Sequence, residues 1–420
     1  MDGKLRVGCI ADDFTGASDI ASFFSLGGMK TVLSNGVPDG ILSEEADAVV
    51  IALKSRSIPA QSAVHQSLQA LEWLLQAGAE HIYIKYCSTF DSTPAGNIGP
   101  VCDAVMDAMG VPYTILCPAL PVNGRTVKDG RLSVNGVPLH KSSMKDHPLN
   151  PMWDDRLEVL MKDQSRYPVF TLSWDAVKEG ADHTAAICQN LAQKHRRCYI
   201  APDFYDESQG TDLAAAFPDL KLYTGGSGLA RPLAERWMRD QDREEEERFR
   251  PQKGNALLLA GSCSQATRQQ IAAYQKTGAA SFRIYPDEFL DGSQNFEDVR
   301  RFIDSHPGEN MLIYSSASPK VRQTQKHSGE QASAVIEETL AGAASYARQR
   351  GILRIIVAGG ETSGAVTERL GYSLFWIGES VAPGVPVMRP VENRNAGLVL
   401  KSGNFGSEDF FARAVAALDG

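Results

Sequence analysis

The chain has 420 residues, 43% of them hydrophobic, enough to bury substantial cores and to form two or three domains. Its formal charge of −9 and pI near 5.5 exclude a general nucleic-acid binder, whose footprint is basic, while leaving room for a local Arg/Lys cluster around an anion. The seven cysteines are scattered and never in Cys-x-x-Cys spacing, which argues for reduced thiols and against a zinc site or disulfide framework.

The first residues lead directly into strand-like sequence without a signal-peptide core, and no apolar run reaches membrane length; a cytoplasmic protein with no membrane partner is expected. Apolar runs then fall near residues 5–11, 30–34, 47–53, 81–87, 113–118, 168–173, 197–202 and 221–224, alternating with helical patterns. One such helix, Ser62 to Gln76, sets Val64, Leu68, Leu71, Trp73, Leu74 and Leu75 largely on one face and is stopped by Gly78. Residues 123–140 break the alternation, and Asn135-Gly136 marks a tight β-hairpin. The His- and Pro-rich segment from His140 to Pro151 reads as a flap or interface element rather than core. Residues 239–253, RDQDREEEERFRPQK, almost lack apolar side chains: a solvated helix end, and also the best linker between domains at 1–238 and 254–420. A second set of strands follows near 256–262, 281–285, 311–315, 353–358 and 397–401, with a helix from Ala332 to Gln349. The fold class expected is α/β, as two domains with mainly parallel sheets.

The chemistry concentrates where strands meet helices, the edge at which open α/β sheets bind ligands. In Asp12-Asp13-Phe14-Thr15-Gly16-Ala17-Ser18-Asp19, a helix cap needs only one residue, Asp13 or Thr15. Two adjacent carboxylates with a third at Asp19 exceed that need, and such like charge is costly without a ligand, a metal or a cation. Asp12 and Asp13 are therefore the catalytic candidates. Arg56 and Lys85 end strands at the same expected edge, where they suit a carboxylate or else pair with Asp12, Asp13 or Asp91. Ser88, Thr89, Asp91 and Ser92 look like polyol recognition, and Asn123 and Arg125 add an amide and a guanidinium unless they form a simple turn.

Small-residue turns dominate the second half: Ser262 and Ser264 after Gly261, the run Gly359-Gly360-Glu361-Thr362-Ser363, and Gly403-Asn404. Bare N–H groups at helix starts suit phosphate. There is no P-loop, no Gly-x-Gly-x-x-Gly (Gly225-Gly226-Ser227-Gly228 continues wrongly), no serine-hydrolase elbow and no zincin helix. The histidines form no metal set. Together these loops imply phosphoryl transfer between two domains, with the active site in the interdomain cleft.

With those residues in place, the chain resembles the four-carbon acid sugar kinases over its whole length. ADDFTGASD, LKSRS, KYCSTFDST, CPALPVNGRT, GGSGLA, GSCS, GGETSGAV and LKSGNFG occur in order. The tract KYCSTFDSTPAGNIGPV with CPALPVNGRTV is most similar to the 3-oxo-tetronate branch, whereas SSMKDHP at 142–148 departs from the family pattern. The resemblance implies an acid sugar held by the first domain through the acidic loop, Arg56, Lys85 and the Ser/Thr/Asp run. It implies ATP held by Ser262, Gly359 to Ser363 and the Gly403 turn, and phosphorylation of the terminal 4-hydroxyl. Mg2+ is expected to bridge the phosphates largely through water, without a dedicated protein cage. A threonate or erythronate kinase is the alternative within the family. A nicotinamide-dependent sugar-acid dehydrogenase is disfavoured by the missing fingerprint. No nucleic-acid partner is expected; a homodimer is allowed for.

Overall fold

The computed structural model describes residues 5–40, 45–146, 150–239, 253–315 and 327–419. The expected linker therefore lies almost wholly outside the described residues. The chain forms two compact units, Met1–Asp242 and Arg243–Gly420.

In the first unit the strands are β1 (Val7–Ala11), β2 (Thr31–Asn35), β3 (Ala48–Ala52), β4 (His81–Lys85), β5 (Tyr113–Cys117), β6 (Arg125–Lys128), β7 (Arg131–Val134), β8 (Val137–Pro138), β9 (Val169–Leu172), β10 (Cys198–Pro202) and β11 (Leu222–Gly225). Eight of them form a parallel sheet in the order β2-β3-β1-β4-β11-β5-β10-β9. The central strands VGCIA and AVVIA are buried on both faces, so they read as continuous apolar runs rather than alternating ones. From β1 the chain turns first to β2 and β3 on one side and then to β4 on the other. This is a topological switch point, and the crevice at the carboxyl ends of β1 and β4 is where such sheets bind ligands.

β6, β7 and β8 make a small antiparallel sheet. Asn135 (φ 51°) and Gly136 (φ 77°) are both left-handed, as the two-residue hairpin turn requires. The segment after it forms short 3-10 turns at Leu139–Lys141 and Ser143–Asp146, with Leu139 fully buried; residues 147–149 lie outside the described residues. The glycines after β11 have a packing cause. An added Cβ would sit 2.1 Å from the Cys117 carbonyl oxygen at Gly225 and 2.5 Å from that of Pro118 at Gly226.

The second unit contains β12 (Ala256–Ala260), β13 (Ala280–Arg283), β14 (Met311–Tyr314), β15 (Arg354–Ala358), β16 (Leu374–Ala382), β17 (Val385–Pro390) and β18 (Gly397–Lys401). Their order is β13-β14-β12-β15-β18-β17-β16, parallel from β13 to β18 and antiparallel thereafter. From β12 the chain goes to β13 and β14 on one side, then crosses to β15 on the other. The switch point of this sheet is thus between β12 and β15. The β16–β17 pair is absent from the sequence reading. Gly378-Glu379 and Pro383, Pro386 and Pro390 interrupt any alternation, and the pairing itself has register shifts at Ser380. Among the described residues no helix is long and apolar enough to cross a membrane.

Candidate active site

The first cluster forms where β1, β3 and β4 end. Asp13 caps the helix Phe14–Leu26, its Oδ1 accepting from the Gly16 N–H at 2.6 Å. Asp12 takes a two-pronged grip from Arg56, with Nε at 2.8 Å and Nη2 at 2.7 Å, and Arg56 Nη1 reaches Asp13 at 2.7 Å. Arg56 therefore matches the ion-pair reading: three of its five N–H groups go to the acidic loop. Asn97, buried beneath the turn after β3, fixes the backbone of the turn that carries Arg56. Its amide donates to the carbonyls of Ser55 (2.7 Å), Arg56 (3.3 Å) and Ile58 (3.1 Å).

Behind this pair lies a second, deeper one. Lys85 is 3% exposed, donates to the Tyr86 carbonyl at 3.0 Å and stands 4.0 Å from Asp19. Asp19 is itself buried; one oxygen accepts from the Ser227 hydroxyl, and the other finds no partner among the described residues. Gly16 sits among these groups: a Cβ there would lie 2.6 Å from Asp13 Oδ1 and 3.3 Å from Lys85 Nζ.

The protonation pattern follows from burial against charge. Burial pushes the Asp13 carboxyl above the usual carboxylate range; Arg56 is the strongest opposing influence, Asp12 adds to the rise, and Lys85 and the Gly16 N–H oppose it. Asp19 is likewise raised by burial, against Lys85, the Ser227 hydroxyl and Arg125. Arg56 is held charged: burial works against it, but Asp12 and Asp13 more than compensate. Asp13 has 30% of its side chain exposed and Asp12 only 15%, so Asp13 is the carboxylate more open to a ligand.

The other expected sugar-site residues divide. Arg125 points its Nη1 at the Asn123 carbonyl and keeps a buried Nε with no acceptor among the described residues. Its effect on Asp19 puts it electrostatically within the cluster. Ser88 and Asp91 are partly exposed, and Thr89 is buried with its hydroxyl 2.9 Å from the Cys87 sulfur. Ser92 is turned inward and donates to Gln164 at 2.8 Å, so its hydroxyl serves packing. Asn97, Gly16 and Ser227 complete the cluster without having been singled out in the sequence. The signals were faint: one asparagine before a helix, and a serine inside a glycine run.

In the second unit, three loops leave the adjacent parallel strands β12, β15 and β18 at one edge. Ser264 caps the helix Gln265–Gln275 through the Thr267 N–H (3.1 Å) and donates to the Gly403 carbonyl at 2.6 Å. Gly359 has φ +138°, and its N–H donates to the Lys401 carbonyl at 2.9 Å. That conformation favours glycine. A Cβ on Gly403 would be 2.2 Å from Ser262 Oγ, and one on Gly261 would be 2.2 Å from Thr362 Oγ1. The three loops thus pack closely at these glycines, where an added side chain would have to displace the Ser262 and Thr362 hydroxyls. The helix Gly360–Leu370 opens without a side-chain cap, leaving N–H groups for an anion. Thr362 and Ser363 are buried in its first turn, and Ser363 Oγ has no partner among the described residues. Gly360, Glu361 and Asn404 are exposed at the rim, and Glu361 together with burial raises the nearby Glu337 carboxyl. Among the described residues no group of three or more His, Cys, Asp or Glu forms a metal cage.

Fold and geometry define an α/β protein of two units, each with a candidate site at the switch point of its parallel strands. Residues 7–233 match the model of a sugar-binding N-terminal domain, and residues 257–411 that of a nucleotide-binding C-terminal domain. The chain belongs to the four-carbon acid sugar kinase family. It is 45% identical over 419 residues to the 3-oxo-tetronate kinase of Burkholderia multivorans, covering 99% of this chain and 97% of that one. The 3-oxo-tetronate kinase of Haemophilus influenzae is 42% identical over 413 residues, covering 97% and 98%. A crystal structure of a Salmonella typhimurium LT2 protein superposes with a TM-score of 0.91 at 42% identity, covering 98% of each chain. A Haemophilus influenzae crystal structure gives 0.85 at 42% identity, covering 98% of this chain and 100% of that one.

Proposed function

We propose that this chain is an ATP-dependent kinase that phosphorylates the terminal hydroxyl of 3-oxo-tetronate, giving the 4-phosphate and ADP. The observation that carries the mechanism is the Asp13 carboxylate: a helix cap, partly open, beside a guanidinium and raised by burial above the ordinary carboxylate range. Asp13 accepts the proton of the attacking hydroxyl as that oxygen bonds to the γ-phosphorus and the bond to the β–γ bridging oxygen breaks, ADP leaving. A base of this kind supplies roughly 10²–10⁴-fold. Asp12 orients Arg56 rather than reacting. Lys85, Arg125 and the remaining Arg56 N–H groups neutralise the substrate carboxylate, while Asn123 and the Ser88, Thr89 and Asp91 run bond its other oxygens.

The nucleotide is assigned to Ser262, Ser264, Gly359, Gly360, Glu361, Thr362, Ser363, Gly403 and Asn404. Backbone amides at Gly359–Ser363 are assigned to the phosphates, next to a Gly359 whose φ of +138° favours glycine. The fit for Mg2+ is to the phosphates rather than to a protein cage, so the ion would arrive with the nucleotide and neutralise its charge. The domains are assigned to 1–238 and 254–420 with residues 239–253 as the linker, and in-line transfer requires hydroxyl and γ-phosphate to meet. A reducing cytoplasm suits the seven cysteines, all of them free thiols. The test is ADP release that depends on 3-oxo-tetronate, with ³¹P NMR locating the ester on carbon 4. ATP turnover without a 4-phosphate product would overturn the assignment.

A further inference from the structure

One side chain ties the nucleotide loops together. Lys401 ends β18 and is 2% exposed. Its ammonium donates to the carbonyls of Ser402 (2.9 Å) and Gly403 (3.0 Å) and to Thr267 Oγ1 (3.1 Å). The Gly403 carbonyl also accepts from Ser264 Oγ (2.6 Å) and Thr267 Oγ1 (2.8 Å), while the Lys401 carbonyl accepts from the Gly359 N–H (2.9 Å). The loops after β12, β15 and β18 are thereby fastened to one residue that none of the motif arguments required.

The knot needs charge, because only –NH3+ has three N–H groups to give. Yet no described residue balances that charge. From the helix Gln265–Gln275 the amine meets a hydroxyl, from the 402–403 turn two carbonyls, and from the helix Phe410–Asp419 the Phe410 ring at 5.5 Å. It makes no ion pair with any described residue, and no carboxylate or guanidinium adds to the effect of burial, which lowers its pKa to about 7. A polyphosphate on these loops would supply the missing negative charge.

We propose that Lys401 is the positioning residue of the nucleotide loops and that nucleotide binding draws a proton onto its amine. The proposal rests on the assignment of these loops to ATP. In the free protein near neutrality the amine is partly neutral and the Gly403 turn is held by one donor fewer. The phosphates restore the cation, and the cation restores the turn.

The experiment is calorimetry of Mg·ADP binding to the full chain at pH 7.5, in buffers of different ionisation enthalpy. With the amine near 7, wild type is expected to take up as much as roughly three quarters of a proton. Lys401→Met should abolish that uptake and weaken binding about tenfold, losing donors and charge together. Lys401→Arg stays charged throughout, so it should also abolish the uptake while binding more tightly than the methionine variant; it carries the test if Lys401→Met does not fold. Comparison with wild type cancels the nucleotide's own titration. A merely structural lysine would weaken binding without changing the proton count. Equal uptake in wild type and variants overturns this proposal alone, whereas no Mg·ADP binding by wild type overturns it together with the nucleotide assignment.

Discussion

Asp13→Asn separates chemistry from folding at a single atom. Asparagine caps helices about as well as aspartate, so its Oδ1 can still accept from the Gly16 N–H that lies 2.6 Å from Asp13. Arg56 loses its 2.7 Å contact with a carboxylate but keeps both prongs on Asp12. The Asp13–Arg56 pair is partly solvated, at 30% and 24% side-chain exposure, so its loss should cost about 1 kcal/mol or less. For a folding unit the size of Met1–Asp242 that shifts Tm by only about 2–4 °C. The base, by contrast, is worth roughly 10²–10⁴ in kcat, or about 3–5 kcal/mol of barrier. The assay is steady-state ADP release on 3-oxo-tetronate, with thermal unfolding alongside. The pH profile adds a sign. Asp13 works only when ionised, so wild-type kcat/KM should fall on the acid side with a midpoint above the ordinary carboxylate range, and the variant should lack that limb. A kcat within threefold of wild type, in a variant that melts normally, would refute the assignment of Asp13 as base.

Three further outcomes are expected. Gly403→Val should weaken ATP binding at least tenfold and leave sugar-acid binding unchanged, since even its first carbon would lie 2.2 Å from Ser262 Oγ; calorimetry with each ligand reads this directly. Asn97→Ala removes the clamp on the Ser55–Ile58 turn, so it should cost about 1–3 kcal/mol of stability and raise the KM for sugar acid but not for ATP. Lys401 gives a pH signature in denaturant unfolding. Below about pH 7 its amine is charged in folded and unfolded chains alike, whereas between about 7 and 10.5 only the unfolded chain keeps the proton. Stability should therefore gain an increment as pH rises through that window, and Lys401→Met should lose it.

Much of this architecture was legible because parallel strands covered on both faces are written as uninterrupted apolar runs. VGCIA, AVVIA, ALLLA and RIIVA lie where such runs were expected. The hairpin was legible for a different reason: Asn135-Gly136 is a local conformational requirement that owes nothing to tertiary context. The β16–β17 pair was not, because its prolines and register shifts erase the period-2 signal. At the site, the sequence could bring charged residues to one sheet edge but could not say who pairs with whom. Arg56 was open to a substrate carboxylate or to Asp12 and Asp13, and only the geometry commits three of its donors to the latter. Ser92 carries the same hydroxyl as Ser88 and Thr89, but its contact with Gln164, 72 residues away, decides its role. Lys401 lies within LKSGNFG, but burial without a counter-charge leaves no trace in composition.

Which four-carbon acid is phosphorylated, and where, decides the substrate assignment. The direct measurement is kcat/KM for 3-oxo-tetronate, threonate and erythronate side by side, with saturating ATP and Mg2+ and the phosphorylated position read by NMR. A site that hydrogen-bonds the carbon-3 oxygen as a carbonyl should strongly disfavour acids that present a hydroxyl there. 3-Oxo-tetronate is expected to lead both reduced acids by at least about tenfold, each gain of ten reflecting about 1.4 kcal/mol of transition-state binding, with the ester on carbon 4. A preference for threonate or erythronate would contradict the substrate assignment, and a phosphoryl group on any other oxygen would contradict the placement of Asp13 beside the terminal hydroxyl.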